Sequence, residues 1–352
     1  MPIMAEPDGG ARFDRYARQR LFPPLSGEGQ QRLADARVTL IGCGALGSAI
    51  ADTLARAGVG FLRLVDRDFL ELNNLQRQVL FDEDDLAAGL PKAAAAAAKL
   101  SRINSSVRCE PLVADCNASS IDAMLDGVQL VLDGTDNFET RFLINDAAVK
   151  RGLPWIYGAC VAATGMVMPI VPGRTPCLRC VWPEPPPPGI SPTCDTAGII
   201  APAVHIVAAL QCVEAMKLLT GRHDDLCRGL IQIDAWSGTF DVFELRDARD
   251  PGCPCCGRRQ FDFLASDQGG AAALCGRNAV QVRPRQADVI DFELLAERLA
   301  GVVDAPPVRN RFMLRFRVSR YDVTVFRDGR AIIQGTDDPD EARSVYAKYI
   351  GN

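Results

Sequence analysis

The chain has 352 residues, 48% of them hydrophobic and 24% charged, with a formal net charge of −5, which suits one large domain plus a small one, or two domains. The acidic balance argues against bulk nucleic-acid binding, no apolar run reads as long enough to span a membrane, and Met1–Gly10 has neither the basic region nor the apolar core of a secretory signal. A cytoplasmic protein with mostly reduced cysteines is expected, and its two histidines, His205 and His223, give little scope for a histidine base.

An arginine-rich arm, Arg15-Tyr16-Ala17-Arg18-Gln19-Arg20, comes first. Taken alone it reads as a solvated face. Val38–Ile41 is apolar and partly β-branched, so it reads as a buried parallel strand. It runs into Gly42-Cys43-Gly44-Ala45-Leu46-Gly47. In this G-x-G-x-x-G turn Gly42 permits the tight turn, Gly44 lets a phosphate approach, and Gly47 lets the helix Ser48–Ala57 pack on its strand. The helix N-terminus offers N–H groups and partial positive charge to an anion. A second strand, Phe61–Val65, ends in Asp66, where a ribose-binding carboxylate belongs. These features mark a nucleotide without separating NAD from ATP.

The polar stretch Asp68–Gln78 leaves the carboxyl end of that strand, where doubly wound folds bind ligands. Pro91 suits a first helical position, and the six alanines after Lys92 are strong helix formers. Lys92 is a cation in a positive first turn, so an anionic ligand is its expected partner. Val107–Leu112 and Leu130–Leu132 read as strands, the latter emptying into Asp133-Gly134-Thr135-Asp136-Asn137. The two carboxylates there can hold a divalent cation through oxygen. Equally, Asp136 or Asn137 can cap the helix Glu139–Arg151. Trp155–Ala159 and Met166–Ile170 extend a largely parallel sheet with helices on both faces.

Two C-x-x-C pairs follow, Cys177/Cys180 and Cys253/Cys256, a pattern that suits a closed structural Cys₄ zinc site. Cys255 confuses the second pair, and the matching spacing selects Cys253 and Cys256. A redox C-x-x-C is the rival, disfavoured by the proline and turn residues around both pairs. Trp182–Gly189 is proline-rich and reads as a crossing loop. It delivers Cys194 at or just ahead of a long helix ending at Thr220, where a thiolate is stabilised. His205 reads as a residue of that helix rather than a ligand. Leu230–Asp234 and Thr239–Leu245 form a hairpin. The predicted division is a first domain over 1–260, a linker over 261–274 and a small α+β domain over 275–352. That last region reads as strand Ala279–Val282, helix Asp291–Leu299, strands Phe312–Val318, Asp322–Phe326 and Ala331–Gln334, and helix Pro339–Tyr349. Its arginines, Arg309, Arg311, Arg315 and Arg317 among them, suit either an acidic partner or ordinary surface.

Together these residues resemble the ubiquitin-activating-enzyme-like family, in particular the bacterial adenylyltransferases that activate β-grasp sulfur carriers for molybdopterin or thiamin-thiazole synthesis. The resemblance rests on R-Y-x-R-Q at Arg15–Gln19, the glycine loop, Asp66, N-L-Q-R-Q at Asn74–Gln78 and P-K at Pro91–Lys92. It continues through D-G-T-D-N at Asp133–Asn137, C-L-R-C at Cys177–Cys180, T-C-D-T-A-G at Thr193–Gly198 and C-P-x-C at Cys253–Cys256. It implies a Rossmann-like α/β fold with a zinc-bound crossover, and ATP-dependent adenylation of the C-terminal glycine carboxylate of a carrier ending in Gly-Gly. Asp66 would hold the ATP ribose; Asn74, Arg77 and Lys92 the phosphates; Asp136 magnesium. Arg18 would reach the neighbouring subunit's site in a homodimer, Cys177, Cys180, Cys253 and Cys256 would bind zinc, and Cys194 would lie over the carrier's tail. The eukaryotic-type members end in a rhodanese domain. Here that region has a different α+β pattern, so a separate sulfurtransferase is expected. Rival readings are an NAD-dependent dehydrogenase, a non-catalytic carrier-binding scaffold, and an enzyme that adenylates a carboxylate on a modified tRNA nucleoside.

Overall fold

The structure, a computed structural model, describes residues 15–186, 194–245, 247–265, 271–274, 278–282 and 289–350. The chain divides into two compact units between Ser266 and Asp267. The first is built on eight strands: β1 (Arg37–Ile41), β2 (Phe61–Val65), β3 (Arg108–Leu112), β4 (Leu130–Asp133), β5 (Trp155–Val161), β6 (Thr164–Ile170), β7 (Gly229–Asp234) and β8 (Thr239–Glu244). They form one sheet in the order β3-β2-β1-β4-β5-β6-β7-β8.

From β3 to β5 every pairing is parallel, and from β5 to β8 every pairing is antiparallel. The sheet is thus less parallel than the sequence implied. The cause is local. Only Ala162 and Ala163 separate β5 from β6, and Ala162 takes a positive φ of 54°. A two-residue connection makes a hairpin, whereas a parallel crossover needs a dozen residues or more.

Side chains alternate across the parallel half, as the two-residue strand period requires. Val38 and Leu40 enter one core with Ile50, Leu54, Val204 and Val207; Ile41 turns to the other with Val131, Phe142 and Trp155. The helix Ala201–Leu219 is long and apolar enough to cross a membrane by length and composition, which corrects the reading of the sequence. Here Val204, Val207, Ala208 and Ala215 are buried in the first core, as befits a helix lying against a sheet.

The expected linker over 261–274 is also corrected. Asp262–Ala265 is a short helix of the first unit. Its Phe263 N–H donates to Asp146 (3.0 Å), and its ring lies 5.0 Å from that of Phe142. Ala271–Leu274 is a strand, β9, of the second unit. With β10 (Ala279–Val282), β11 (Val308–Arg309), β12 (Met313–Val318), β13 (Tyr321–Phe326) and β14 (Ala331–Gln334) it forms a sheet in the order β11-β12-β13-β14-β10-β9. The helices Phe292–Leu299 and Pro339–Tyr349 share its core. Both begin at an aspartate, Asp291 and Asp338, whose carboxylates accept the first-turn N–H groups.

Candidate active site

Strand β1 lies between β2 and β4, so the chain's direction of winding reverses at β1. Ligands of doubly wound sheets sit at the carboxyl ends of strands beside such a point. Here the strand ends are stitched together. Gly42 N–H donates to the Val65 carbonyl (2.7 Å) and Gly134 N–H to the Ile41 carbonyl (2.8 Å). Gly42 holds φ at +90°, and a side chain on Gly47 would begin 1.9 Å from the Gly42 carbonyl oxygen. Both glycines are therefore demanded by the turn itself. Gly44 differs. A side chain there would meet only the Gln78 amide nitrogen, at 4.0 Å. The space in front of Gly44, at the start of the helix Ala45–Ala57, is open to an anion.

Asp66 closes β2. Its two oxygens accept from the Cys43 N–H (2.6 Å) and the Asp68 N–H (2.7 Å). Burial pushes its carboxyl up from the usual range, opposed by the Lys92 ammonium. Lys92 is itself buried, with Nζ 3.7 Å from the Asp68 carboxylate and its N–H on the Asp68 carbonyl (2.8 Å). The cation at this helix start thus already faces Asp66 and Asp68, where the sequence suggested only an anionic ligand. Asn74 is buried and caps its own turn, accepting from Glu71 N–H (3.2 Å) and donating to Asn73 (2.6 Å). Arg77 is half-buried, and its guanidinium donates to the Asn73 carbonyl (2.8 Å).

At the end of β4 the two acids part company. Asp133 is fully buried, paired with Arg141 (3.1 Å), and accepts from Thr135 N–H (2.9 Å) and Thr135 Oγ1 (2.6 Å). It is an internal anchor, so the reading of both acids as cation ligands fails for it. Asn137 caps the helix Phe138–Arg151, accepting from Thr140 N–H (2.8 Å). Asp136 is exposed and free of that task. It is the carboxylate at this strand end available as an oxygen donor to a hard cation.

The arm lies elsewhere. Arg15 donates to the Ile103 carbonyl (2.6 Å) and Gln19 to the Ala57 carbonyl (2.9 Å), the last residues of their helices. The helix from Ala45 to Ala57 has 13 residues. At ~1.5 Å per residue its far end is roughly 20 Å from the glycine turn. Arg18, exposed beside Gln19, sits at the edge of the sheet opposite its own candidate site.

Cys177, Cys180, Cys253 and Cys256 bring their sulfurs within 4.8 Å of one another. Separations of 3.9, 3.6 and 3.4 Å link Cys177 to Cys180, Cys177 to Cys253 and Cys180 to Cys256. Four sulfurs at ~2.3 Å from a tetrahedral zinc are about 3.8 Å apart, so the donor set fits. Cys255 is not one of the four but is buried beside them, against Cys177, with its sulfur accepting from the Asn145 amide (3.2 Å).

Residues 187–193, with the end of the expected crossing loop, lie outside the described residues. Cys194 opens a separate four-residue helix, Cys194–Ala197, just ahead of the long one. Gly198, at φ +75°, breaks the chain before Ala201. Cys194 Sγ contacts the Cys160 carbonyl (3.5 Å) at the carboxyl end of β5, the edge of the sheet that also carries Gly42, Asp66 and Asp133. Arg141, Asn145 and Gln211 have no signature in the sequence; each is a buried polar residue on a helix, and the partners of Asn145 and Gln211 are remote in the chain.

One similar relative is the "Sulfur carrier protein ThiS adenylyltransferase" of Bacillus subtilis, 45% identical over 341 residues, covering 96% of this chain and 99% of that one. The "SAMP-activating enzyme E1" of Haloferax volcanii is 39% identical over 253 residues, 72% of this chain and 92% of that one. The "Adenylyltransferase and sulfurtransferase MOCS3" of Sus scrofa is 38% identical across 80% of this chain but only 63% of its own length. Among solved structures, E. coli MccB with ATP aligns with a TM-score of 0.60 over 69% of this chain and 75% of that one at 24% identity, a likeness of fold. The ThiF family model matches residues 16–255, from the arm to the second cysteine pair, and with the Bacillus subtilis relative aligned along nearly the whole length, the chain belongs to the ThiF family.

Proposed function

We propose that this enzyme adenylates the C-terminal glycine carboxylate of a β-grasp sulfur carrier, releasing pyrophosphate ahead of thiocarboxylate formation. The observation that carries the reading is the open turn at Gly44, set at the same strand ends as Asp66, Lys92 and Asp136. The similar enzymes named for sulfur-carrier adenylation support it.

In this reading ATP lies with its phosphates over Gly44 and its ribose on Asp66. A carboxylate oxygen of the carrier attacks the α-phosphorus, forming a new P–O bond as the bond to the β-phosphate oxygen breaks. The attacking group is already an anion, so no proton has to be removed and a histidine base is unnecessary. Negative charge grows on the departing pyrophosphate, and Lys92 and Arg77 stabilise it. Magnesium held by Asp136 would add charge stabilisation of the same kind. Lys92 is poised between Asp66 and Asp68, which hold it in position for phosphate. The four-cysteine cluster would bind zinc structurally.

A protein substrate fits the antiparallel half of the sheet. Edge strand β8 exposes Phe240, Val242 and Phe243, and Trp236 in the preceding turn is 84% exposed. An exposed apolar patch of this kind marks a protein-interaction site, which favours a carrier over a tRNA nucleoside. The enzyme would work as a homodimer in the reducing cytoplasm, where ATP and free thiolates coexist, with sulfur supplied by a separate sulfurtransferase. ATP–pyrophosphate exchange with candidate carriers ending in Gly-Gly tests the reading. Exchange that requires both the carrier and its terminal glycines supports it; ATP-independent behaviour, or exchange indifferent to the carrier, refutes it. Adenylation precedes any thiol step, so Cys194→Ser should keep this exchange.

A further inference from the structure

The helix Phe138–Arg151 links two sites that the sequence keeps apart. Near its start, buried Arg141 reaches toward the nucleotide loop. Its Nε pairs with Asp133 (3.1 Å), and Nη2 donates to the carbonyls of Thr135 (2.7 Å) and Gly158 (3.1 Å). Asp133 returns to the same residue, accepting from Thr135 N–H and Oγ1. Thr135 is thus gripped through its N–H, carbonyl and hydroxyl, and Asp136 is the next residue. One turn further along, at the four-residue spacing that keeps side chains on the same face, lies buried Asn145. Its Oδ1 accepts from the N–H of Leu178 (2.9 Å), which lies between the ligands Cys177 and Cys180, and its Nδ2 donates to Cys255 (3.2 Å).

From this geometry we infer that the helix is a strut holding the Asp136 loop against the four-cysteine cluster, with Arg141 and Asn145 as positioning residues. Neither residue touches the reacting atoms. Arg141 fixes the backbone that presents Asp136, and Asn145 fixes the helix to the Cys177–Cys180 loop. A disturbance of the cluster would therefore reach the magnesium side of the nucleotide site first, and reach less of the glycine turn, which packs on this loop through Gly134 but has its own bond to the Val65 carbonyl. The inference rests on reading Asp136 as the magnesium ligand.

The test compares calorimetric ATP binding with and without magnesium in the wild type, Arg141→Lys and Asn145→Leu. Lysine keeps the charge but cannot bridge three acceptors, and leucine keeps the volume of asparagine without its hydrogen bonds. Losing such a bond is worth about a tenfold effect. The expected result is that Arg141→Lys lowers affinity for Mg-ATP about tenfold while magnesium-free ATP binding changes less than threefold. Asn145→Leu should shift it in the same direction. A purely structural role would lower the melting temperature and leave the magnesium-dependent gain of the folded protein at its wild-type value, and that result would overturn the inference. If Arg141→Lys fails to fold, Thr135→Val, with Thr135→Ser as the variant that should restore binding, asks the same question of the loop. Failure of the functional reading is separate: it would appear as wild-type protein that binds Mg-ATP normally yet shows no carrier-dependent pyrophosphate exchange.

Discussion

Asp133 and Asp136 stand three positions apart, yet one is sealed beneath the sheet and the other faces solvent. Such a division cannot be read from D-G-T-D-N, because what decides it is Arg141 on the following helix. The consequence is testable at Asp136. Removing a group that stabilises transition-state charge costs about 10²–10³ in rate, so Asp136→Ala should lose carrier-dependent pyrophosphate exchange to that degree while its melting temperature stays near wild type. Near-normal exchange would remove Asp136 from the mechanism. A second acid, Glu341 in the C-terminal unit, shows charge used for stability. Hydrogen bonds from Thr336, Tyr321 and Arg320 hold its carboxyl at about 2, well below the ordinary 4.5. A carboxyl with a depressed native pKa lends stability above its unfolded value, and that stability drains away as pH falls toward the native value. Stability from Glu341 should therefore be intact above about pH 4.5 and decline toward pH 2. The difference in melting temperature between the wild type and Glu341→Gln should shrink over this window; a gap that stays constant would show that Glu341 carries no linked proton. The glycines were legible because steric demand is local: at Gly42 and Gly47 the backbone itself excludes a side chain. Lys92 was only half legible, since its carboxylate partners lie on the far side of a polar loop.

Strands and long helices followed from the apolar pattern, because β1, β2, β4 and β5 are buried on both faces and are mostly apolar. Short elements did not. β9 is alanine-rich and β11 has two residues, too little pattern for either to register. Cys194 lies just ahead of the long helix, as the sequence allowed, but the short helix it opens was too brief to register, and the break after it depends on the positive φ at Gly198. The cysteine pairs were legible for the opposite reason, since metal-ligand spacing is a local geometric code. Their prediction is direct. Metal analysis should find about one zinc per chain, as one Cys₄ site requires. Cys253→Ser should lose the metal and lower the melting temperature, whereas Cys255→Ser, whose sulfur lies beside Cys177 and accepts from Asn145 without being one of the four, should keep the metal. Loss of zinc from Cys255→Ser with retention in Cys256→Ser would exchange the two assignments.

At the scale of the whole molecule the proposed homodimer is tested at Arg18. Its arm is pinned by Gln19 to the Ala57 carbonyl and by Arg15 to the Ile103 carbonyl, at the ends of helices that begin on the other edge of the sheet. A roughly 20 Å helix separates it from the glycine turn. Arg18 can therefore serve a nucleotide only in another copy of the chain. The neighbouring side chains suit such a contact: Leu21 is 71% exposed and Phe22 59% exposed, unusual positions for apolar groups facing water. A two-fold dimer would be self-complementary, each arm entering the partner's site as the partner's arm enters its own. Arg18→Ala and Asp136→Ala would then each inactivate both sites of their own dimers. Mixed dimers are different. One of their sites combines both defects, while the other joins an intact Asp136 to an intact Arg18. Random exchange of equal amounts makes half the dimers mixed, so activity should recover to about a quarter of wild type. Native mass spectrometry should report mixed dimers appearing at the same rate as pyrophosphate exchange returns. Mixed dimers without recovered exchange, or a dilute wild-type monomer that remains fully active, would place Arg18 outside the reaction and leave its arm a brace for the two helix ends.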